Sequence, residues 1–137
     1  MKHYLLFILC SISFVCYSQN TENKISYKAD AMIMFFVNSR NEITLEKPFA
    51  NKVNIIYDTF FKSYYITFYE EDGTYGYYQF YFVSDKENNV KRMSSDDNSM
   101  SYIYDNMENQ GKLLIVNENK IDGHTACLEI IGVIRKK

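Results

Sequence analysis

The most reactive pair of side chains lies near the C-terminus, where His124 comes three residues before Cys127 in the stretch DGHTAC. A cysteine and a histidine can act as a nucleophile and its base if they lie within hydrogen-bond reach and a third group orients them. On an extended strand entered from a turn, positions 124 and 127 point to opposite faces. We therefore interpret His124 as a turn residue and Cys127 as an unreactive thiol. One histidine and one cysteine also cannot form a structural zinc site.

Acidic residues cluster at Glu70–Asp72 and at Asp96–Asp97, and carboxylates are the ligands that calcium prefers. Neither cluster has the ligand spacing of an EF-hand loop, so we interpret both as solvated turns and expect no metal and no cofactor. The chain also has no phosphate loop, no nucleophile elbow and no dinucleotide fingerprint. We expect a protein that is not an enzyme, and a small hydrolase with paired carboxylates is kept as an alternative.

Ten of the 23 residues from Ser63 to Asp85 are aromatic, and they lie on both sides of the turn EEDGT. Alternating aromatic residues around such a turn predict a β-hairpin. A two-residue loop would mix phenylalanine and polar residues on both faces. A three-residue loop pairs Glu70 with Thr74 and places Gly73 in the left-handed position of a G1 bulge. We predict the three-residue loop because it separates the two kinds of side chain.

This register assigns the hairpin residues to two faces. The predicted core face holds Tyr64, Ile66, Phe68, Tyr78, Phe80 and Phe82. The opposite face holds Tyr65, Thr67, Tyr69, Tyr75, Tyr77, Gln79 and Tyr81. Tyrosine rings are apolar at their faces and form hydrogen bonds at their tips, so we predict a ligand or partner surface made of Tyr65, Tyr69, Tyr77 and Tyr81. The alternative is that these rings only pair across the strands and cover the sheet.

Apolar residues recur at every second position along almost the whole chain from Ile25 onward, which is typical of half-buried strands. We predict an all-β domain over residues 25–137, an antiparallel meander of about eight strands that forms a small barrel or a sandwich. The predicted strands outside the hairpin are residues 25–37, 43–46, 53–58, 101–106, 112–117 and 125–135. Lipocalin-like architecture fits this size and order. Lipocalins usually carry a Gly-x-Trp near the start, however, and this chain has no tryptophan.

The first residues, MKHYLLFILCSISFVCYSQN, combine a cationic start, an apolar run and a small-residue exit. This pattern predicts a signal peptide over residues 1–18, with the mature chain starting at Gln19 and a short tail over residues 19–24. Lipidation at Cys16 is the alternative, and we favour the soluble exported form because bulky residues precede Cys16. The mature chain has no segment that would span a membrane as a helix.

Cleavage there removes Lys2 and no acid, so 14 basic residues remain against 17 acidic ones. The resulting charge of −3 gives no electrostatic reason to expect a nucleic acid partner. The exit YSQN and the abundance of Asn, Lys, Ile and Tyr resemble small exported proteins of the Bacteroidota. This resemblance covers the leader and the composition alone. It implies the periplasm or the extracellular side of a bacterial envelope, and it implies no activity.

We therefore predict a non-enzymatic envelope protein that binds a glycan or protein partner through its tyrosine-rich face. The first alternative is a small-molecule carrier with an apolar cavity inside a closed barrel. An inhibitor or immunity-type partner protein is a further alternative.

Overall fold

The structure is a computed structural model that describes residues 23–137. The predicted signal peptide, the start at Gln19 and most of the predicted tail lie outside the described residues. Nine strands and one short helix make up the described chain. They are β1 (Lys24–Val37), β2 (Ile43–Asp58), β3 (Ser63–Glu70), β4 (Tyr75–Glu87), β5 (Val90–Ser95), β6 (Met100–Asn106), α1 (Met107–Gln110), β7 (Lys112–Asn117), β8 (Thr125–Ile131) and β9 (Ile134–Arg135).

The sheet closes on itself because β1 pairs with both β2 and β8. From β1 to β8 each strand is antiparallel to the one before it, so eight strands form an up-and-down barrel. The ninth strand adds to the beginning of β1, opposite Tyr27 and Lys28. The predicted all-β antiparallel meander is confirmed, and of the two predicted closures the chain adopts the barrel.

The predicted strands at residues 43–46 and 53–58 are one long strand, β2, which bends at Lys52 with a φ of 51°. Pro48 lies inside it, and proline is tolerated in a sheet only where no ladder hydrogen bond is needed. The pairing explains this position, because β3 reaches only as far as Ala50 and leaves Pro48 with β1 as its single neighbour.

Two further segments differ from the prediction. Residues 84–89 and 94–99 were predicted as turns. Strand β4 continues to Glu87 inside the first of them, and β5 ends at Ser95 inside the second. The predicted last strand over 125–135 is interrupted at Gly132, whose φ is 68°. Beyond this break Ile134 is 57% exposed, so it does not continue the inward face of β8.

The predicted hairpin register is confirmed, since Tyr64 pairs with Phe80 and the Glu70 N–H donates to the Thr74 carbonyl at 2.8 Å. Gly73 has a φ of 87°, as the predicted G1 bulge requires. The predicted core face points into the barrel. Its buried members are Tyr64, Ile66, Phe68 and Phe80, while Tyr78 and Phe82 are half-buried against the core.

One end of the barrel, called the closed end here, is plugged by a polar cluster on an apolar core. The Tyr64 hydroxyl donates to Asp105 Oδ2 at 2.6 Å and accepts from Lys91 Nζ at 3.3 Å. The Tyr27 hydroxyl donates to Glu108 Oε1 at 2.6 Å. Burial, followed by these carboxylates, raises the pKa of both tyrosines well above the ordinary value. The phenols therefore stay protonated and keep donating to the carboxylates.

Candidate functional site

The opposite end of the barrel is not plugged. It is formed by the turns β1–β2, β3–β4, β5–β6 and β7–β8, which share one end because consecutive strands are antiparallel. A cavity of about 480 Å³, called the cup here, lies at this open end. Its lining comprises Met34, Tyr77, Tyr78, Gln79, Phe80, Ser95, Asp96, Asp97, Ser99, Ser101, Ile115, Asn117, Ala126, Cys127 and Leu128.

The floor of the cup is apolar because the strands around it alternate in register. Ile115 pairs with Leu128, and Leu128 pairs with Met34 on the other side, so three strands contribute a side chain at the same level. Phe80 is 4% exposed and belongs to the core below the cup. Ala126, two residues before Leu128, is small and leaves space that a larger residue would fill.

One wall of the cup is polar, and its central residue is Ser101 on β6. Ser101 is 6% exposed and lies between Met93 and Asn117 on the neighbouring strands. Among residues 23–137 its hydroxyl has no hydrogen-bond partner, and it borders the cavity. Because no buried side-chain polar atom of the described residues is unpaired, this oxygen is accessible at the cavity and can form a hydrogen bond with a bound molecule. Beside it, the side-chain oxygen Oδ1 of Asn117 accepts the Asn119 N–H at 3.0 Å.

The rim of the cup carries two carboxylates on the β5–β6 turn. Asp97 accepts hydrogen bonds from the Ser95 hydroxyl at 2.5 Å and from the Ser99 N–H at 3.0 Å. Hydrogen bonds from the Ser95 and Ser99 side chains, then from the backbone, lower the pKa of Asp97 to about 2, so it is ionised at neutral pH. Asp96 accepts the Tyr81 hydroxyl at 2.9 Å. Neither carboxylate forms a salt bridge within the described part of the chain.

The other turns of the open end are also acidic. Residues 38–42, 70–74, 95–99 and 117–124 together contain eight acidic residues, and their basic residues are Arg40 and Lys120. A concave site surrounded by charge of one sign concentrates counter-charged solutes near its mouth. The cup is thus an apolar cavity beneath a negatively charged mouth.

The predicted tyrosine surface lies on the outside of the barrel, on β3 and β4. Tyr69, Tyr77 and Tyr81 are 43%, 54% and 49% exposed, and Tyr65 is half-buried. The Tyr65 and Tyr77 ring centroids are 5.9 Å apart, and those of Tyr69 and Tyr75 are 5.5 Å apart. The four predicted residues therefore share one face, and their rings pair across the strands while keeping solvent-accessible surface.

Each of the two side chains, His124 and Cys127, contacts a nearby backbone carbonyl. His124 Nδ1 lies 2.9 Å from the Asp122 carbonyl oxygen, and Cys127 Sγ contacts the Thr125 carbonyl at 3.9 Å. Burial raises the pKa of the Cys127 thiol, which disfavours the nucleophilic thiolate. Within residues 23–137, no group of three or more His, Cys, Asp or Glu is arranged to hold a metal ion.

The sequence placed the four tyrosines on one outward face, and it offered an apolar cavity in a closed barrel as an alternative without naming the residues that line it. The missed signal is the occurrence of small or polar residues at inward positions of strands β6, β7 and β8, namely Ser101, Asn117 and Ala126. None of the described helices is long and apolar enough to cross a lipid bilayer. No family model, curated protein or solved structure matches this chain.

Proposed function

We propose that the protein is a binding protein that holds a small, mainly apolar ligand in the cup. The observation that carries the proposal is an open cavity of about 480 Å³ inside a closed barrel. Ligand sites commonly have volumes of about 300–1,000 Å³, with apolar linings and a few polar groups that orient the ligand. The cup has this composition, because Met34, Ile115 and Leu128 form its floor and Ser101 supplies an unpaired hydroxyl.

The proposal includes no catalysis. Asp96 and Asp97, the two carboxylates of the cup, are consecutive residues of a single turn. A glycosidase pair instead flanks the scissile bond from two sides. Export to the bacterial envelope remains the predicted location, and there such a protein would carry or sequester its ligand.

The proposal is tested with N-phenyl-1-naphthylamine, a neutral apolar dye that fluoresces when it leaves water. We expect saturable fluorescence with the wild-type protein. Ser101→Leu places a larger side chain in the cup and should weaken dye binding by at least about tenfold. Ala126→Leu fills the cup from another strand and should have the same effect, so the test does not depend on one variant folding.

The matched control is Ser94→Leu, because Ser94 adjoins Ser95 in sequence but lies on the other face of β5. It should bind the dye like the wild type, and circular dichroism should show that all variants keep the fold. Absence of saturable binding to the wild-type protein would contradict the proposal. Equal binding by the filled variants would place the dye elsewhere and contradict it as well.

The second candidate function is binding of a cell-wall glycan by the tyrosine surface. Its support is the exposure of Tyr69, Tyr77 and Tyr81 on one face together with their hydroxyls, since sugar rings stack on aromatic faces and form hydrogen bonds with phenols. Tyr77→Ala/Tyr81→Ala should lose retention on cell-wall glycan. The control Phe60→Ala/Phe61→Ala removes an exposed ring pair, 68% and 58% exposed, at the closed end and should be retained.

Unchanged retention of the tyrosine variant would contradict the glycan proposal. Capture of a protein instead of a glycan would indicate that the surface binds a protein partner. Because Tyr81 hydrogen-bonds to Asp96 at the cup rim, dye binding is measured on the same variant. Loss of glycan retention with intact dye binding assigns the two activities to separate sites.

A further inference from the structure

We infer that the cup selects a cationic amphiphile, a molecule with a protonated amine at one end and an apolar body. The amine would lie at Asp96 and Asp97 on the rim, and the body would lie on the floor formed by Met34, Ile115 and Leu128. This inference rests on the proposed function, because it names the class of ligand for the same cavity.

The rim carboxylates have no counter-charge within the described part of the chain. Asp97 is ionised at neutral pH, and neither it nor Asp96 forms an ion pair with any lysine, arginine or histidine of the described chain. Both carboxylates are exposed to solvent at the rim, so an opposite charge on the ligand would attract them through a solvent-screened interaction. An anionic head group at the same place would instead meet two carboxylates.

The wall of the cup offers a hydroxyl that can form hydrogen bonds with a ligand. Ser101 is 6% exposed as a residue, and its hydroxyl, which has no partner within residues 23–137, is accessible from the cavity. A serine oxygen has two acceptor sites, and an ammonium group is a donor alone. The Ser101 hydroxyl therefore adds a second kind of acceptor, besides the rim carboxylates, to the lining of the cup.

The turns around the mouth of the cup are negatively charged. The four turns around the mouth carry eight acidic residues against Arg40 and Lys120, and one of the acids, Glu118, is paired with Arg92 of β5. This asymmetry belongs to the open end, because the last residues of the chain at the closed end include Arg135, Lys136 and Lys137. A negative mouth raises the local concentration of cations and lowers that of anions, and salt weakens both effects.

The experiment compares octylamine, octanol and octanoate, which share one apolar chain and differ in the charge of the head group. Each displaces bound N-phenyl-1-naphthylamine from the wild-type protein at neutral pH and low salt. We expect octylamine to displace the dye at a concentration at least about tenfold lower than octanoate, with octanol between them. Added sodium chloride should reduce this ratio, because rim charges are screened by salt.

The charge variant is Asp96→Asn/Asp97→Asn, in which the amide oxygens can still accept the hydrogen bonds of the turn. In this variant, the ratio of the concentration of octanoate that displaces the dye to that of octylamine should fall toward one. The control Glu71→Gln/Asp122→Asn removes two acids from other turns of the mouth that do not line the cup, and it should keep most of the ratio.

The two proposals fail in different ways. A wild-type protein that does not bind the dye overturns the proposed function and this inference with it. A wild-type protein that binds the dye but is displaced equally by the three compounds, or best by octanoate, overturns the inference alone. A salt-independent preference for octylamine would also contradict it, because the preference would then not come from the charged rim.

Discussion

Phe80 and Tyr81 are neighbours in sequence, but they have opposite environments because successive residues of a strand point to opposite faces. Phe80 points into the barrel and is 4% exposed, with its ring centroid 6.1 Å from that of Tyr78. Tyr81 points outward, is 49% exposed and donates a hydrogen bond to Asp96. Substituting each residue in turn therefore compares the effect of losing a buried ring with that of losing an exposed one.

Phe80→Ala should lower the free energy of unfolding by about 3–5 kcal/mol, the range for removing a buried aromatic ring from a core. Tyr81→Ala should lower it clearly less, because the exposed ring loses little contact area. Urea denaturation of the two variants measures both changes. Equal losses would show that the outer ring contributes as much to stability as the core ring.

Contacts between elements explain the stability of the closed end. The Tyr64 hydroxyl on β3 connects to Asp105 on β6 and to Lys91 on β5, so one phenol links three strands across the interior. The Tyr57 ring on β2 stacks on the Tyr64 ring with centroids 4.7 Å apart. The cluster holds together walls of the barrel that are not neighbours in the sheet.

This cluster should make the protein sensitive to alkali. The pKa of Tyr64 is raised in the folded state, so folding retains a proton that the unfolded chain loses above a pH of about 10. The stabilisation is fully present below that pH and decreases as the pH rises above it. Urea unfolding between neutral and alkaline pH should show this decrease.

The control variant is Tyr64→Phe, which cannot ionise and leaves Asp105 without its phenol donor. At neutral pH it should be less stable than the wild type by about 1.5–3 kcal/mol, the usual contribution of a hydrogen bond to a charged group. Its stability should depend less steeply on pH above 10 than that of the wild type. Parallel pH profiles would show that Tyr64 does not contribute to the alkaline sensitivity.

The sequence predicted elements well where one face is uniformly apolar and less well where it is not. In the hairpin, the phenylalanine positions determined the register, because a slip of one residue would have exposed them. Strand β5 was missed because its inward position 91 is a lysine, whose charge contacts the Tyr64 hydroxyl and the Tyr57 ring 5.5 Å away. Those partners come from other strands, so local alternation could not reveal them.

The two candidate sites also differ in how well they could be predicted from the sequence. The outward tyrosines follow from the period of a single hairpin, whereas the cup depends on which strands meet when the barrel closes. Ser101, Asn117 and Ala126 look like ordinary polar or small strand residues until pairing brings them to one end. Knowledge of the strand order was therefore needed to find the cup.

At the scale of the whole molecule, β1 begins at the closed end, where the Thr59 N–H donates to the Asn23 carbonyl at 2.8 Å. The predicted mature protein starts at Gln19, four residues before Asn23. Intact mass spectrometry of the exported protein should give the mass of residues 19–137. A mass that includes a diacylglyceryl group on Cys16 would contradict soluble export and attach the closed end to a membrane.

The pairing of β1 with β8 also has a consequence for the time course of folding. Met34 and Leu128 are direct partners although they come from opposite ends of the described chain. Hairpins such as β3–β4 can form as soon as their own residues are available, but the last seam requires almost the entire chain. Contacts between distant residues slow folding, so we expect seam closure to be the late, rate-limiting step. Until then β1 and β8 are unpaired edges, and the cup, whose floor spans that seam, does not yet exist.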